Sequence, residues 1–75
     1  MKIVLSDHFI LKIRQRKIPE TFVLRTIDKP DFIKATRNSR EARYKKFRNY
    51  YMKVVVLKKL DKLIVITAHW VSKIK

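Results

Sequence analysis

The spacing of apolar residues changes near residue 32, and this change restricts the fold more than any other feature of the chain. From residue 6 to residue 29, apolar side chains recur at helical spacing. From Phe32 onward they alternate with polar side chains, as is typical of strands with one buried face. Helices followed by strands predict an α+β domain in which two N-terminal helices pack on one face of a small antiparallel β-sheet.

Local signals set the boundaries of these elements. Residues 2–5 predict a short strand, and Ser6 is placed to cap a first helix. Pro19 suits the first turn of a second helix, which Pro30 ends. Three or four strands follow, in the segments FIKATR, ARYKKF, YYMKVVVL and LIVITAHW, with turns at Asn38-Ser39, Arg48-Asn49 and Leu60-Asp61. Because the chain has no glycine, Asn and Asp are expected to supply any left-handed turn positions.

Length and charge limit what such a domain can do. A chain of 75 residues holds one domain, residues 1–75, with a small core. Twenty Lys and Arg against six Asp and Glu give a net charge of +14, which attracts polyanions and makes nucleic acid the first candidate partner. The alternative is that the lysines only keep a small protein soluble.

The residue types that are missing exclude several kinds of site. The chain has no cysteine, which excludes disulfides, thiolate catalysis and cysteine zinc sites. The histidines and carboxylates show no metal-ligand spacing, and there is no glycine-rich phosphate loop, so no metal or cofactor is expected. The N-terminal segment lacks the apolar run of a signal peptide, and no segment approaches the roughly 18 apolar residues of a membrane span. We therefore expect a cytoplasmic protein without a membrane partner.

The last strand carries the second histidine of the chain. Alternation in LIVITAHW predicts one side facing the core, Ile64, Ile66, Ala68 and Trp70, and the other facing away from it, Leu63, Val65, Thr67 and His69. Thr67 and His69 then share the uncovered face of the sheet with Tyr51 and Lys53 of the neighbouring strand. The alternative is that Thr67 is an ordinary strand residue and that His69 is structural.

Two other regions concentrate polar groups. In the first helix, His8, Lys12 and Arg16 recur every four residues on one face, which is also the pattern of any solvated helix face. The segment RNSREARYKKFR interleaves cations, which neutralise phosphates, with aromatic rings, which stack on unpaired bases. This combination favours RNA or single strands. The alternative is that the rings belong to the core and the cations to a solvated edge.

A series of short motifs matches a known family pattern. It consists of His8, Lys12, Arg16, IPE at 18–20, Pro30-Asp31, RYKK at 43–46 and VITAHW at 65–70. With these motifs the chain resembles the short domains related to the RelE, ParE and BrnT toxins of bacterial and archaeal toxin-antitoxin pairs. It departs from the family at Lys12, where arginine is usual and a bidentate phosphate contact is lost, and at Lys17, where glycine is frequent.

The resemblance implies a RelE-like toxin fold, with helices on a curved antiparallel sheet, and an acidic antitoxin protein that covers the basic face. RelE relatives are metal-independent ribonucleases that often act on messenger RNA at the ribosome, so the resemblance implies RNA as the substrate. ParE relatives instead inhibit gyrase, which leaves a protein-targeting toxin as an alternative. A further alternative is a basic RNA- or DNA-binding module without catalysis.

Metal-independent RNA cleavage gives the candidate residues separate roles. A base removes the ribose 2′-OH proton and an acid protonates the leaving 5′-oxygen, and His8 and His69 are the candidates. Arg16 and Arg43 are the candidates for stabilising charge on phosphorus. The candidate RNA-binding residues are Lys12, Arg37, Arg40, Tyr44, Lys45, Lys46, Arg48, Tyr51, Lys53 and Thr67. His8 and Arg16 belong to one site with His69 only if the start of the first helix lies beside the uncovered face of the last strand.

Overall fold

The computed structural model describes residues 2–74, in which two helices cover one face of a five-stranded sheet. In chain order the elements are β1 (Lys2–Val4), α1 (Asp7–Gln15), α2 (Glu20–Asp28), β2 (Phe32–Ala35), β3 (Arg40–Phe47), β4 (Tyr50–Lys58) and β5 (Lys62–Val71). The strand order across the sheet is β1-β5-β4-β3-β2. The predicted α+β class is therefore confirmed.

The sheet is mixed, and the prediction of a wholly antiparallel sheet was wrong for its first strand. The strands β2, β3, β4 and β5 pair antiparallel in succession, whereas β1 lies parallel to β5 with Ile3 opposite Leu63. Only a tight hairpin requires antiparallel pairing, and β1 and β5 are separated in the sequence by both helices and by three strands.

The first helix begins and ends in specific hydrogen bonds. Ser6 caps α1, because its Oγ accepts a hydrogen bond from the amide of Phe9 at 3.1 Å. At the other end the amide of Ile18 donates to the carbonyl of Ile13 at 2.8 Å, and the amide of Lys17 donates to that of Arg14 at 3.1 Å. This pair of bonds is the Schellman motif, which ends the helix at a residue with positive φ.

The second helix begins directly after Pro19 and ends at Asp28, two residues before Pro30. Both prolines therefore stand where the sequence predicted the helix boundaries. Neither helix of residues 2–74 is long and apolar enough to cross a membrane.

One core lies between the helices and the sheet. Helix α1 contributes Phe9 and Ile13, and α2 contributes Val23 and Ile27. The strands contribute Met52, Val54, Val56, Leu63, Val65 and Ala68. Because all these strand residues lie on one face, the helices cover that face, and among residues 2–74 no other element covers the opposite one.

A β-bulge in β5 changes which of its residues face the core. Val55 of β4 pairs with Thr67, but the next residue, Val56, pairs with Val65, so Ile66 is the extra residue of the bulge. Strict alternation across the bulge assigns the wrong face to everything before it. The core positions there are Leu63 and Val65 rather than Ile64 and Ile66. After the bulge the prediction is correct, with Ala68 in the core and His69 on the other face.

The turns were predicted at the right places, but most residues with positive φ are not the Asn or Asp expected there. Positive φ occurs at Lys17, Asn38, Ser39 and Arg48 among the described residues. Only Asn38 belongs to the types expected there. Between β2 and β3, Asn38 and Ser39 have φ of 58° and 61°, and the amide of Arg40 donates to the carbonyl of Arg37 at 3.2 Å. This geometry matches a two-residue turn of type I′, which suits the twist of a hairpin.

Candidate nucleic-acid interface

The sheet face away from the helices carries basic and aromatic side chains in rows. Residues that pair directly across neighbouring strands project to the same side, so the register identifies them. We call this the open face. It includes Phe32, Lys34, Arg40, Ala42, Tyr44, Lys46, Tyr51, Lys53, Val55, Leu57, Ile64, Thr67, His69 and Val71.

One row contains His69. It runs across four strands in the order Phe32, Tyr44, Lys53 and His69, each residue paired with the next. Strands lie about 4.8 Å apart, so the row spans about 14 Å from β2 to β5. Side chains that are far apart in the sequence therefore stand next to one another on a single surface.

Cation–π contacts organise the open face. The Nζ of Lys53 lies 5.8 Å from the centre of the Tyr44 ring, and that of Lys46 lies 6.0 Å from the centre of the Tyr51 ring. Tyr44 is only 2% exposed although it lies outside the core under the helices. Each ring thus holds an ammonium group at a defined place on this face.

Arg16 reaches the same row from the end of α1. Its Nη1 donates a hydrogen bond to the carbonyl of Ala68 at 3.1 Å, and Ala68 directly precedes His69. The Schellman motif turns the chain immediately after Arg16 and so fixes where this side chain leaves the helix. A second cation therefore stands beside His69, in addition to Lys53.

His69 is a neutral base between two cations. Partial burial lowers the pKa of His69 below its ordinary value of 6.5, and the charges of Lys53 and Arg16 lower it further. The imidazole is therefore uncharged at neutral pH, which is the form that accepts a proton. The adjoining cavity, about 470 Å³ in volume, is lined by Tyr44, Lys53, His69 and residues 70–73.

Arg43 does not join this group, which corrects its predicted role at phosphorus. It lies on the helix-covered side of β3, where its Nε pairs with Glu41 Oε2 at 2.7 Å and its Nη1 donates to the carbonyl of Ile27 at 2.6 Å. The sheet itself separates Arg43 from His69. Its contacts instead join β3 to the end of α2, which is a structural role.

Lys45 is separated from the site in the same way. Its Nζ donates to the carbonyl of Lys29 at 3.0 Å and lies 3.9 Å from Asp31, on the side of the helices. Successive strand residues project to opposite faces, so the side chains of residues 43–46 lie on both faces of the sheet. Tyr44 and Lys46 are on the open face with His69, and Arg43 and Lys45 are on the face covered by the helices.

The end of α1, not its start, lies beside His69. His8 is exposed in the first turn, eight residues before Arg16, which is about 12 Å along a helix. The charges that act on His69 are those of Lys53 and Arg16. The condition for placing His8 in the site is therefore not met, and of the stripe His8, Lys12 and Arg16 only Arg16 reaches the row.

The remaining candidates divide by position. Thr67 pairs with Val55 and Tyr51 with Val71, so both lie on the open face next to the row of His69. Arg37 is exposed in the turn after β2, and Arg40 lies about 13 Å along β3 from Tyr44. Arg48 lies in the turn between β3 and β4. Arg40 pairs with Leu57 and so lies on the open face itself, whereas Arg37 and Arg48 lie in turns. None of the three belongs to the group around His69.

Sequence reasoning missed two parts of this surface. Phe32 stands at the outer end of the row, and Ser72 and Lys73 line the cavity. Only the register between β2 and β3 aligns Phe32 with Tyr44, and alternation along one strand does not contain that information.

No group of three or more His, Cys, Asp or Glu between residues 2 and 74 is arranged to hold a metal ion. Comparisons of the chain with protein-family models, with curated proteins and with solved structures found no match. The functional interpretation therefore depends on the geometry of the open face.

Proposed function

We propose that this protein is a metal-independent endoribonuclease that acts on single-stranded RNA, and that it is the toxin of a toxin-antitoxin pair. The observation that carries the proposal is the convergence of Arg16, Lys53 and Tyr44 on His69, in a basic face without a covering element among residues 2–74. A neutral base flanked by fixed cations is what cleavage through the ribose 2′-oxygen requires.

In the proposed reaction His69 removes the proton from a ribose 2′-OH. The 2′-oxygen attacks the adjacent phosphorus, and the bond from phosphorus to the 5′-oxygen breaks. The leaving oxygen takes a proton from Lys53, the cation paired with His69 across the strands. The products are a 2′,3′-cyclic phosphate and a 5′-hydroxyl, and proton exchange with water restores both side chains.

Arg16 supplies charge stabilisation in this scheme. Its hydrogen bond to the Ala68 carbonyl holds the guanidinium before substrate arrives, so little reorganisation accompanies the build-up of charge on phosphorus. Tyr44, buried beneath Lys53, keeps the ammonium in position. Thr67, in the neighbouring row, offers a hydroxyl to a phosphate oxygen.

The toxin role is supported by charge and architecture together. Two helices on one face of a sheet agree with the RelE-like fold that the sequence motifs imply. A net charge of +14 and an uncovered basic face suit inhibition by an acidic antitoxin, which would neutralise the face by covering it. The proposed substrate is messenger RNA, including messenger RNA bound to the ribosome.

The decisive experiment is cleavage of a long mixed-sequence RNA by the purified protein in EDTA, with the new ends mapped. Wild type should leave cyclic phosphate and 5′-hydroxyl ends, His69→Ala should bind RNA without cutting it, and His8→Ala should cut like wild type. His8 is the matched control because it is the other histidine and lies outside the site. Cleavage that survives in His69→Ala would refute the catalytic assignment.

A non-catalytic RNA-binding module is the second candidate, favoured by the Lys46–Tyr51 and Lys53–Tyr44 pairs, which need no base in order to bind a strand. This alternative would be supported if the protein bound RNA but cleaved neither free RNA nor messenger RNA on translating ribosomes.

The toxin role has its own test. Induced expression should arrest growth, His69→Ala should relieve the arrest, and co-expression of a small acidic protein encoded beside the gene should do the same.

A further inference from the structure

Phe32 lies at the opposite end of the row from His69. The side chain is 55% exposed on β2, which forms the outer edge of the sheet. A single exposed aromatic ring is common in proteins and carries no meaning alone. The Phe32 ring is significant here because it is aligned with Tyr44, Lys53 and His69 on a surface that is continuous from the sheet edge to the proposed site.

The surface between Phe32 and His69 suits a polyanion. Lys53 lies within the row, Lys46 is in the adjacent row, and Arg16 is bonded to the carbonyl of Ala68, next to His69. Glu41 is the one carboxylate within the five strands, and it faces the helices, where it pairs with Arg43. Asp31, just before β2, is bound by the amide of Lys46 at 2.9 Å.

We infer that Phe32 stacks on an unpaired nucleobase of the same strand whose phosphate lies at His69. The nucleic acid then crosses the β-strands of the open face, with its phosphates over Lys53 and its base at the edge strand. This inference rests on the proposed function and extends it, since it adds a base subsite about 14 Å from the reacting phosphate. Stacking tolerates any base but requires that the base be unpaired, so the substrate is single-stranded at this position.

The inference can be tested by binding, without cleavage. A fluorescent DNA oligonucleotide lacks the 2′-hydroxyl, so it cannot be cut by the proposed mechanism. Its affinity is measured by anisotropy with an abasic site introduced at each position in turn. Wild type should lose about tenfold in affinity at one position. Phe32→Ala should bind the intact oligonucleotide about tenfold more weakly and should no longer distinguish the abasic position.

Two kinds of control separate stacking from other effects. Ile33→Ala is the matched control, because Ile33 is the next residue, is 50% exposed, and projects to the opposite face of the same edge strand. It should bind like wild type. Phe32→Tyr should retain the affinity and Phe32→Leu should lose it, since leucine keeps apolar area but has no ring. Thermal unfolding of each variant shows whether it is folded.

The outcomes distinguish this inference from the proposed function. Unchanged binding in Phe32→Ala overturns the inference even if RNA cleavage is observed. Equal losses in Phe32→Ala and Ile33→Ala, with no position-specific abasic effect, also overturn it, because they would show a general effect of altering β2 rather than stacking. An abasic effect that depends on Phe32, in a protein that cuts no RNA, supports the base subsite and refutes only the catalysis.

Discussion

The two histidines of this chain differ because of their neighbours rather than their chemistry. His8 is exposed on a solvated helix face, whereas His69 is partly buried between Lys53 and Arg16. Burial and positive neighbours both disfavour the imidazolium form. At the scale of a single residue, the charged neighbours of His69 therefore define the site, and each of these charges can be removed by a substitution.

Replacing Lys53 by glutamine should raise the pKa of His69 toward 6.5, because it removes one of the two positive charges that lower it. The measurement is an NMR titration of the His69 ring signal between pH 4 and pH 8. Lys12→Gln loses the same charge from a residue that does not act on His69, and should leave the titration unchanged. Equal shifts in the two variants would contradict the assignment of Lys53 as a specific neighbour.

The sign of the linked stability follows from the same shift. As pH falls below 6.5, the unfolded chain protonates at His69 before the folded chain does, so protonation favours unfolding. Wild type should therefore lose stability relative to His69→Gln between pH 6.5 and the lower pKa of the folded protein. Urea denaturation of both proteins at several pH values measures this difference, and parallel curves would refute it.

Arg43 has a structural role, because it bonds to Glu41 and to the end of α2. Replacing it by alanine leaves Glu41, whose side chain is 14% exposed, without its closest partner and removes a bond to the end of α2. We expect the free energy of unfolding to fall by about 2 kcal/mol in urea denaturation. Arg40→Ala, at the exposed start of the same strand, should change it by less than about 0.5 kcal/mol. A neutral effect of Arg43→Ala would refute the structural role.

At the scale of elements, the end of α1 matters because it positions Arg16. Lys17 closes the Schellman motif with φ of 57°, a conformation that costs a side chain with a Cβ atom and costs glycine nothing. Arg16 thus depends on a turn that this chain forms with a suboptimal residue.

Lys17→Gly should therefore raise the free energy of unfolding by about 1 kcal/mol. Lys17→Ala, which removes the same charge but keeps the Cβ atom, should leave stability nearly unchanged, and this contrast isolates the backbone effect from the charge. Urea denaturation of the three proteins gives the comparison. If the alanine and glycine variants were equally stable, the left-handed conformation at Lys17 would not be a source of strain.

The elements were largely predictable because their signals are local. Ser6 and the two prolines mark the helix boundaries, and alternation marks the strands. The bulge at Ile66 was not predictable, since it depends on how β5 pairs with β4, and no feature of LIVITAHW indicates an extra residue. The parallel pairing of β1 is also a contact between distant segments, invisible to local patterns.

At the scale of the whole molecule, the same distinction explains which site residues were predictable. His69 and Lys53 could be assigned to one face from alternation near the end of the chain, whereas only the pairing of β3 with β4 places Tyr44 beside them. Arg43 looked equivalent to Arg16 in sequence, since both are arginines in basic stretches. Only the packing of α2 on β3 shows that Arg43 is held by the Ile27 carbonyl. The net charge indicated a polyanionic partner but did not indicate which surface of the protein binds it.

A net charge of +14 does not indicate which surface binds RNA, and the proposed choice of the open face can be tested. The affinity for single-stranded RNA should fall steeply with salt, because each phosphate contact releases counterions. Lys46→Gln, on the open face, should reduce the slope of log K against log salt by about 0.7. Arg25→Gln, on the exposed side of α2, carries the same net charge and should leave the slope unchanged. Equal reductions would mean that RNA is attracted by the overall charge of the molecule and not bound at the open face.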